Sequence, residues 1–193
     1  MRVIAGKYRS RPLRSLRGMD IRPTSDRLRE TLFDVLCAGN PEALAGTVWL
    51  DLYAGTGAVG IEALSRGAAK VYFAESSKQA ADLIAANLKS LGIASGFEIA
   101  RMEVAKAIRQ WEAAGEISGI RADFVFLDPP YRMKEEYEKT LAAIAESSLL
   151  RPATIIVAEH EKRFDPGEDF AGLHRYRKLE QGDAALSFYR HSL

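Results

Sequence analysis

Three features of the 193-residue sequence predict an α/β fold, a doubly wound parallel sheet with helices on both faces. Five apolar, strand-like runs separated by helix-like segments occupy residues 47–160. A glycine-rich turn, Gly55-x-Gly57-x-x-Gly60, joins the first of these strands to the first of these helices. The last two apolar runs meet at Gln181-Gly182-Asp183 and read as an antiparallel hairpin.

Residues 2–5 and 12–16 read as short strands of a hairpin that turns through Gly6–Arg11. "IRPTSDRLRETLFDVL" reads as a helix: Pro23 precedes it, Thr24 or Ser25 caps it, and Leu28, Leu32, Val35 and Leu36 share one face. Gly39-Asn40-Pro41 ends it. The alternating part then predicts a strand over 47–53 and a helix over 58–66 that stops at Gly67. A strand over 70–75 precedes a helix over 77–91 ended by Gly92, and a strand over 97–101 precedes a helix over 104–114. Next come a strand at 122–128, a helix at about 134–148 and a strand at 154–160. Residues 162–172 read as a loop, and 174–180 and 184–190 as the closing hairpin.

Hydrophobic residues make up 47% and charged ones 27%, an ordinary balance for a globular chain. No apolar run approaches the ~20 residues needed to span a bilayer, and no apolar h-region follows the N-terminal arginines, so neither a membrane partner nor a signal peptide is expected. A single cysteine, Cys37, rules out an internal disulfide and fits a reducing compartment, so a cytoplasmic location is expected. The three histidines, His160, His174 and His191, lack metal-ligand spacing, and no metal is expected. Charge is unevenly spread. Residues 1–32 hold nine basic residues against three acidic ones, whereas the remainder holds 18 against 23. Eight of those nine cations are arginine, the side chain best shaped to fork onto phosphate, so the arm suits a polyanionic partner. Arg9, Arg11, Arg14, Arg22 and Arg27 are its candidate contacts to such a polyanion, which the resemblance described below would make RNA.

The glycine loop and Glu75, which ends the second strand 20 residues after Gly55, fit a nucleotide site of either of two kinds. Glu75 can accept both hydroxyl hydrogens of an adenosine ribose, and NAD would be served as well as S-adenosylmethionine. Asp51, four residues before Gly55, favours the latter: it would repel a pyrophosphate and attract the amino or sulfonium end of S-adenosylmethionine. The late histidines also offer no obvious proton relay for a dehydrogenase. Asp51, Ala54, Gly55, Gly57 and Glu75 are therefore the expected cofactor residues.

"LDPPYR" is the most specific signal in the chain. Asp128-Pro129-Pro130-Tyr131 follows the fourth strand on the sheet edge that carries the glycine loop. Consecutive prolines make a stiff strap with fixed φ and no N–H groups. Such a strap suits methylation of an amine conjugated to a ring, whose delocalised lone pair is a poor nucleophile. Asp128 and the Pro129 carbonyl would accept the amine's hydrogens and aim its lone pair, and Tyr131 would stack on a flipped-out base. Asp128, Pro129 and Tyr131 are the candidate catalytic residues.

"DLYAGTGAVGIEAL", Glu75 and "DPPY" resemble class I S-adenosylmethionine-dependent methyltransferases acting on exocyclic amines. "RVIAGKYRSRPL" with "IRPTSDRLRETLFDVL" resembles a narrower group, the RsmD-type bacterial 16S ribosomal RNA guanine-N2 methyltransferases. That resemblance implies a seven-stranded Rossmann-like sheet with a reversed last strand. It also implies a basic N-terminal hairpin and helix (residues 1–40) that contact RNA, preceding a methyltransferase domain (41–193). Asp51, Gly55 and Gly57 would line the methionine moiety, Glu75 hold the ribose, and Asp128 and Tyr131 handle the guanine. Ribosomal RNA, within a small-subunit particle, would be the partner. After the third strand such enzymes often place Asp or Asn against the adenine amine; here "RMEVAKAI" leaves Glu103, or the backbone of Val104, for that contact. An adenine-N6 or protein-glutamine methyltransferase, an NAD-dependent oxidoreductase and a non-catalytic ribosome assembly factor are the alternatives.

Overall fold

The computed structural model describes residues 1–15 and 25–191, apart from the side chains of 116–118. After a 3-10 turn at Gly6–Tyr8 and helix α1 (Asp26–Leu36), strands and helices alternate. They run β1 (Val48–Leu52), α2 (Ala58–Ser65), β2 (Lys70–Ala74), α3 (Lys78–Ser90), β3 (Phe97–Ala100), α4 (Val104–Ser118), β4 (Ala122–Leu127), α5 (Glu135–Ala145) and β5 (Leu150–Glu161). β6 (Asp169–Phe170), β7 (Leu173–Gln181) and β8 (Ala184–His191) complete the chain. Among the described residues no helix is long and apolar enough to cross a membrane.

The strands form one sheet in the order β3-β2-β1-β4-β5-β8-β7-β6. The first five are mutually parallel, and the last strand, β8, runs antiparallel between β5 and β7. The expected reversal of the final strand is present. An eighth strand is added by two-residue β6, which lies inside the segment expected to be a loop and pairs only with β7. Two residues carry no periodicity, so nothing in the sequence announces them.

Side chains alternate between two cores, as the pleat requires. Trp49, Phe73, Phe124, Phe126 and Val157 pack under α1, α2 and α3, whereas Leu50, Leu52, Val125, Leu127 and Ile156 pack under α4 and α5. Phe33, Trp49 and Phe124 form a stacked column with centroid separations of 5.5 and 4.7 Å. Ser25 caps α1 by accepting the Leu28 N–H, one of the two caps expected, and Cys37 ends that helix half-buried against the same core.

The N-terminal arm reverses on itself through Val3 N–H to Arg11 O (2.9 Å), Ser10 N–H to Val3 O (2.8 Å) and Leu13 N–H to Met1 O (3.1 Å). Its ladder is a single bridge, Arg2 to Pro12, rather than two strands. Pro12 has no N–H to give, and the N–H groups of Ile4 and Ala5 turn instead to the carboxylate of Glu62 on α2, at 2.7 and 2.9 Å. Glu62 is wholly buried and also accepts from Arg66 Nε at 2.8 Å. Arg29, equally buried, lies 4.0 Å from it and donates to Arg2 O and Asp26. One of the arm-proximal cations is therefore consumed internally, and Val3 and Leu13 share the core of the sheet.

Glu62→Ala would leave two amides and Arg66 Nε without their buried acceptor and remove one of the two carboxylates, with Asp26, that face the Arg29 guanidinium. The expected loss is roughly 3–5 kcal/mol in urea unfolding, with Glu62→Gln intermediate. A loss below about 1 kcal/mol would mean that the cluster behaves as a surface ion pair.

Candidate active site

β1 ends at Leu52, and Tyr53 turns the chain with a φ of 60°, a conformation that costs a non-glycine residue about 1–2 kcal/mol. Its phenol is anchored on α5, 2.7 Å from the Thr140 hydroxyl and 3.2 Å from Glu136 Oε2. The loop then closes on itself: Gly57 N–H donates to Ala54 O at 2.7 Å, and Ala54 N–H to Ala74 O at 3.0 Å. Gly57, at φ 75°, is the N-cap of α2, and a Cβ there would meet Ile84 of α3 at 3.1 Å. A side chain at Gly60 would run into Phe73 and Val71, so this glycine lets α2 lie directly on β2.

A glycine N-cap offers no side-chain acceptor to the first turn of α2. Asp51 supplies it from the strand: Oδ2 accepts the Gly60 N–H at 2.8 Å, with the residue only 1% exposed. Burial, aided by the charge of Glu75, pushes the Asp51 carboxyl up to about 7 although the Gly60 hydrogen bond opposes the shift. Glu75 is half-buried and braces two segments, accepting from Gly55 N–H at 2.8 Å and from Ser77 N–H at 2.7 Å. Each of its oxygens keeps a second lone pair for a ligand hydroxyl.

Asp128 follows β4 beside this loop, its N–H directed at Leu52 O (3.3 Å). It keeps a partly accessible surface, yet burial, then the charges of Glu159 and Asp51, hold its carboxyl well above the usual range. Pro129 is buried and Pro130 exposed; the Pro130 carbonyl accepts the Met133 N–H at 2.7 Å and closes the strap into a turn. The Pro129 carbonyl faces the Tyr137 hydroxyl at 3.3 Å, and that hydroxyl donates to Glu159 O at 2.9 Å. Tyr131 is half-buried with its hydroxyl turned inward. The strap and the glycine loop thus occupy the tips of adjacent strands.

A family model described as "Conserved hypothetical protein 95" matches residues 1–190. The Haemophilus influenzae protein named ribosomal RNA small subunit methyltransferase D is 35% identical over 163 residues, 84% of this chain and 79% of that one. Its Escherichia coli namesake is 31% identical over 190 residues, 98% and 89% of the two chains. The solved structure of yhhF from Escherichia coli superposes with a TM-score of 0.81 at 26% identity, covering 99% of this chain and 97% of that one.

The chain belongs to the ribosomal RNA small subunit methyltransferase D family.

Membership removes the oxidoreductase alternative and gives the glycine loop a methyltransferase setting. Within this methyltransferase the expected residues fall into three groups. Asp51, Ala54, Gly55, Gly57 and Glu75 converge on one loop at the end of β1, with Asp128, Pro129 and Tyr131 on the neighbouring tip. Glu103 and Val104 follow β3, whose last residue, Ala100, accepts the Glu75 N–H at 3.1 Å. Glu103 is the N-cap of α4 without a side-chain cap bond, its carboxylate is 72% exposed and 3.8 Å from Lys106 Nζ, and Val104 is buried behind it. Of the arm residues, Arg9, Arg11, Arg14 and Arg27 are exposed, and Arg22 lies outside the described residues.

Three further residues of this region were not among the sequence expectations. Glu159 (4% exposed) follows Ala158, which pairs with Leu127, so it stands level with Asp128 on the next strand. Asp51, Glu75, Asp128 and Glu159 then lie on the α2–α3 face of four consecutive strands. Strand-end alignment of "VAEH" against "FLDP" would have found Glu159. Tyr137 and Asn87 sit on helix faces, and only packing reveals them. Among the described residues no group of three or more His, Cys, Asp or Glu is placed to hold a metal ion.

The folded chain holds the Asp51 proton more tightly than the unfolded chain, whose carboxyl has its ordinary value of 3.8. Its contribution to stability is full below that value, declines as pH rises and is lost above about 7. Asp51→Asn keeps an acceptor for Gly60 and removes the decline. Compared with the ligand-free parent it should gain up to about 4 kcal/mol at pH near 8 and nothing at pH near 4. Parallel urea-stability curves for the two proteins across that range would contradict this.

Proposed function

We propose that this chain transfers a methyl group from S-adenosylmethionine to the exocyclic N2 amine of a guanine in 16S ribosomal RNA, within a small-subunit particle in the cytoplasm. The observation that carries the reading is the juxtaposition of the Asp128-Pro129-Pro130-Tyr131 strap and the glycine loop, joined through Asp128 N–H and Leu52 O.

The residues fit the cofactor. Glycines at 55 and 57 hold left-handed turns beside backbone N–H groups, Glu75 keeps spare acceptor lone pairs for ribose hydroxyls, and Asp51 is poised to ionise under a cation. S-adenosylmethionine, when bound, supplies an electrophilic methyl carbon on a sulfonium sulfur. The chain's own work is to orient the nucleophile. Ionised Asp128 accepts a hydrogen of the amine, keeps its lone pair directed out of the ring plane and favours the positive charge that develops on nitrogen. The high proton affinity of Asp128 suits it to take the proton that the methylated amine sheds. The Tyr137 hydroxyl, shared between Glu159 O at 2.9 Å and Pro129 O at 3.3 Å, ties the strap to the end of β5.

Guanine is favoured over adenine by the donor pattern of the site. The Watson–Crick edge of guanine offers adjacent N1–H and N2–H donors, whereas adenine offers a donor beside an acceptor. Ionised Asp128 presents two acceptor oxygens, which suit a pair of adjacent N–H donors and therefore guanine.

The arm supplies the RNA grip. Arg2, Arg9 and Arg27 line a groove of about 470 Å³ between the arm and α1 together with Asp26, which pairs with Arg2 at 3.7 Å, and Glu30, so cations outnumber anions there by three to two. Arg11 reaches the other way and donates to Ser90 O at the end of α3 (3.2 Å).

Labelled methyl transfer to small-subunit particles, followed by mass analysis of nucleosides, should yield N2-methylguanosine. Asp128→Ala should slow transfer by about 100-fold or more while S-adenosylhomocysteine affinity stays within about threefold. N6-methyladenosine as the product, or an undiminished rate, would refute the assignment. Arg9→Ala with Arg27→Ala should lower the slope of log affinity for 16S RNA against log salt by roughly 1.5 and leave cofactor affinity intact. An unchanged slope would take the groove out of the RNA interface.

A further inference from the structure

Asn87, in the last turn of α3, is wholly buried, and its amide ties together two segments that the reaction uses for different partners. Oδ1 accepts the Arg14 N–H at 2.8 Å and Nδ2 donates to Arg14 O at 3.2 Å, clasping the arm's backbone much as a neighbouring strand would. Nδ2 also donates to Thr56 O at 3.1 Å, in the middle of the glycine loop. The partners dictate the orientation of the amide: two carbonyls need donors and one N–H needs an acceptor. A second contact joins the same segments, with the Thr56 hydroxyl 3.8 Å from the Met1 sulfur.

The Thr56–Gly57 peptide is held at both ends, its carbonyl by Asn87 and its N–H by Ala54 O. Losing the Asn87 bond frees the peptide to rotate, and the turn that presents the loop amides is no longer fixed. The clasp uses only backbone atoms of Arg14, so the guanidinium stays available for RNA. At the far end of α2 the arm is seated independently: Ser65 Oγ accepts the Tyr8 N–H at 3.0 Å and donates to Ala5 O.

We propose that Asn87 is a positioning residue that couples the seating of the arm to the cofactor loop, so that a seated arm raises affinity for S-adenosylmethionine and RNA and cofactor each strengthen the binding of the other. The RNA half rests on the reading of the arm given above. Coupling of this kind is reciprocal by thermodynamic necessity and commonly amounts to five- to 150-fold.

The test is a double-mutant cycle on the full chain, read by calorimetric affinity for S-adenosylhomocysteine. Asn87→Asp sets an acceptor against both carbonyls and should weaken binding at least about fivefold. Ser65→Ala loosens the arm away from the loop and should weaken it about threefold, a loss that disappears in the Asn87→Asp background. Saturating 16S RNA should tighten binding about fivefold in the parent and not at all in Asn87→Asp. Ile144→Ala, a cavity in the opposite core, controls for lost stability. Ser65→Ala without effect, losses that multiply, or an Ile144→Ala loss as large as that of Asn87→Asp would overturn the coupling. Failure of the parent to bind 16S RNA would overturn the arm's role and the RNA half of the proposal, while the cofactor cycle still judges Asn87.

Discussion

Strand order reverses at β1, and the site follows from that reversal. β1 hydrogen-bonds to β2 on one side and to β4 on the other. The chain leaves β1 toward the face carrying α2 and leaves β4 toward the face carrying α5, so the two following loops diverge and open a crevice at the carboxyl edge. Glycine loop and proline strap need no dedicated scaffold beyond this: parallel pairing in register sets Asp128 beside Leu52, and each loop departs from a fixed strand end.

Carboxylates crowd that edge. Asp51, Glu75, Asp128 and Glu159 come from four neighbouring strands, and their mutual repulsion adds to burial in raising the proton affinity of Asp51 and Asp128. The arrangement costs stability in the ligand-free protein and suits a cationic donor and a base whose edge is rich in hydrogen-bond donors. Two of the four also do local structural work. Asp51 finishes the first turn of α2, and Glu75 ties the loop to the start of α3. Structural and ligand-facing roles are compatible here because a carboxylate has more lone pairs than either role uses.

The basic arm is less independent than its charge suggests. Its apolar residues enter the sheet's core, its amides bind Glu62, and Arg29 is spent inside the protein. Its exposed cations, Arg2, Arg9 and Arg27 around one groove and Arg11 and Arg14 outside it, are therefore carried on a segment packed against α2 and the sheet.

Element order, the parallel sheet, the closing hairpin and the two loop motifs were legible in sequence because each depends on local periodicity or on glycines and prolines whose backbone demands are intrinsic, whereas the reversal of the last strand came with the family resemblance. "DLYAGTGAVG" and "DPPY" announce their chemistry through residue type and spacing alone. The arm's single bridge, two-residue β6 and the roles of Glu62, Asn87 and Tyr137 were decided by tertiary structure. Each depends on which groups distant in sequence meet in space: Glu62 takes amides 57 and 58 residues away, and Asn87 an arm 73 residues away. A polar residue on a helix face looks alike in sequence whether it meets water or a buried carbonyl, and only the packing of one element on another separates the two.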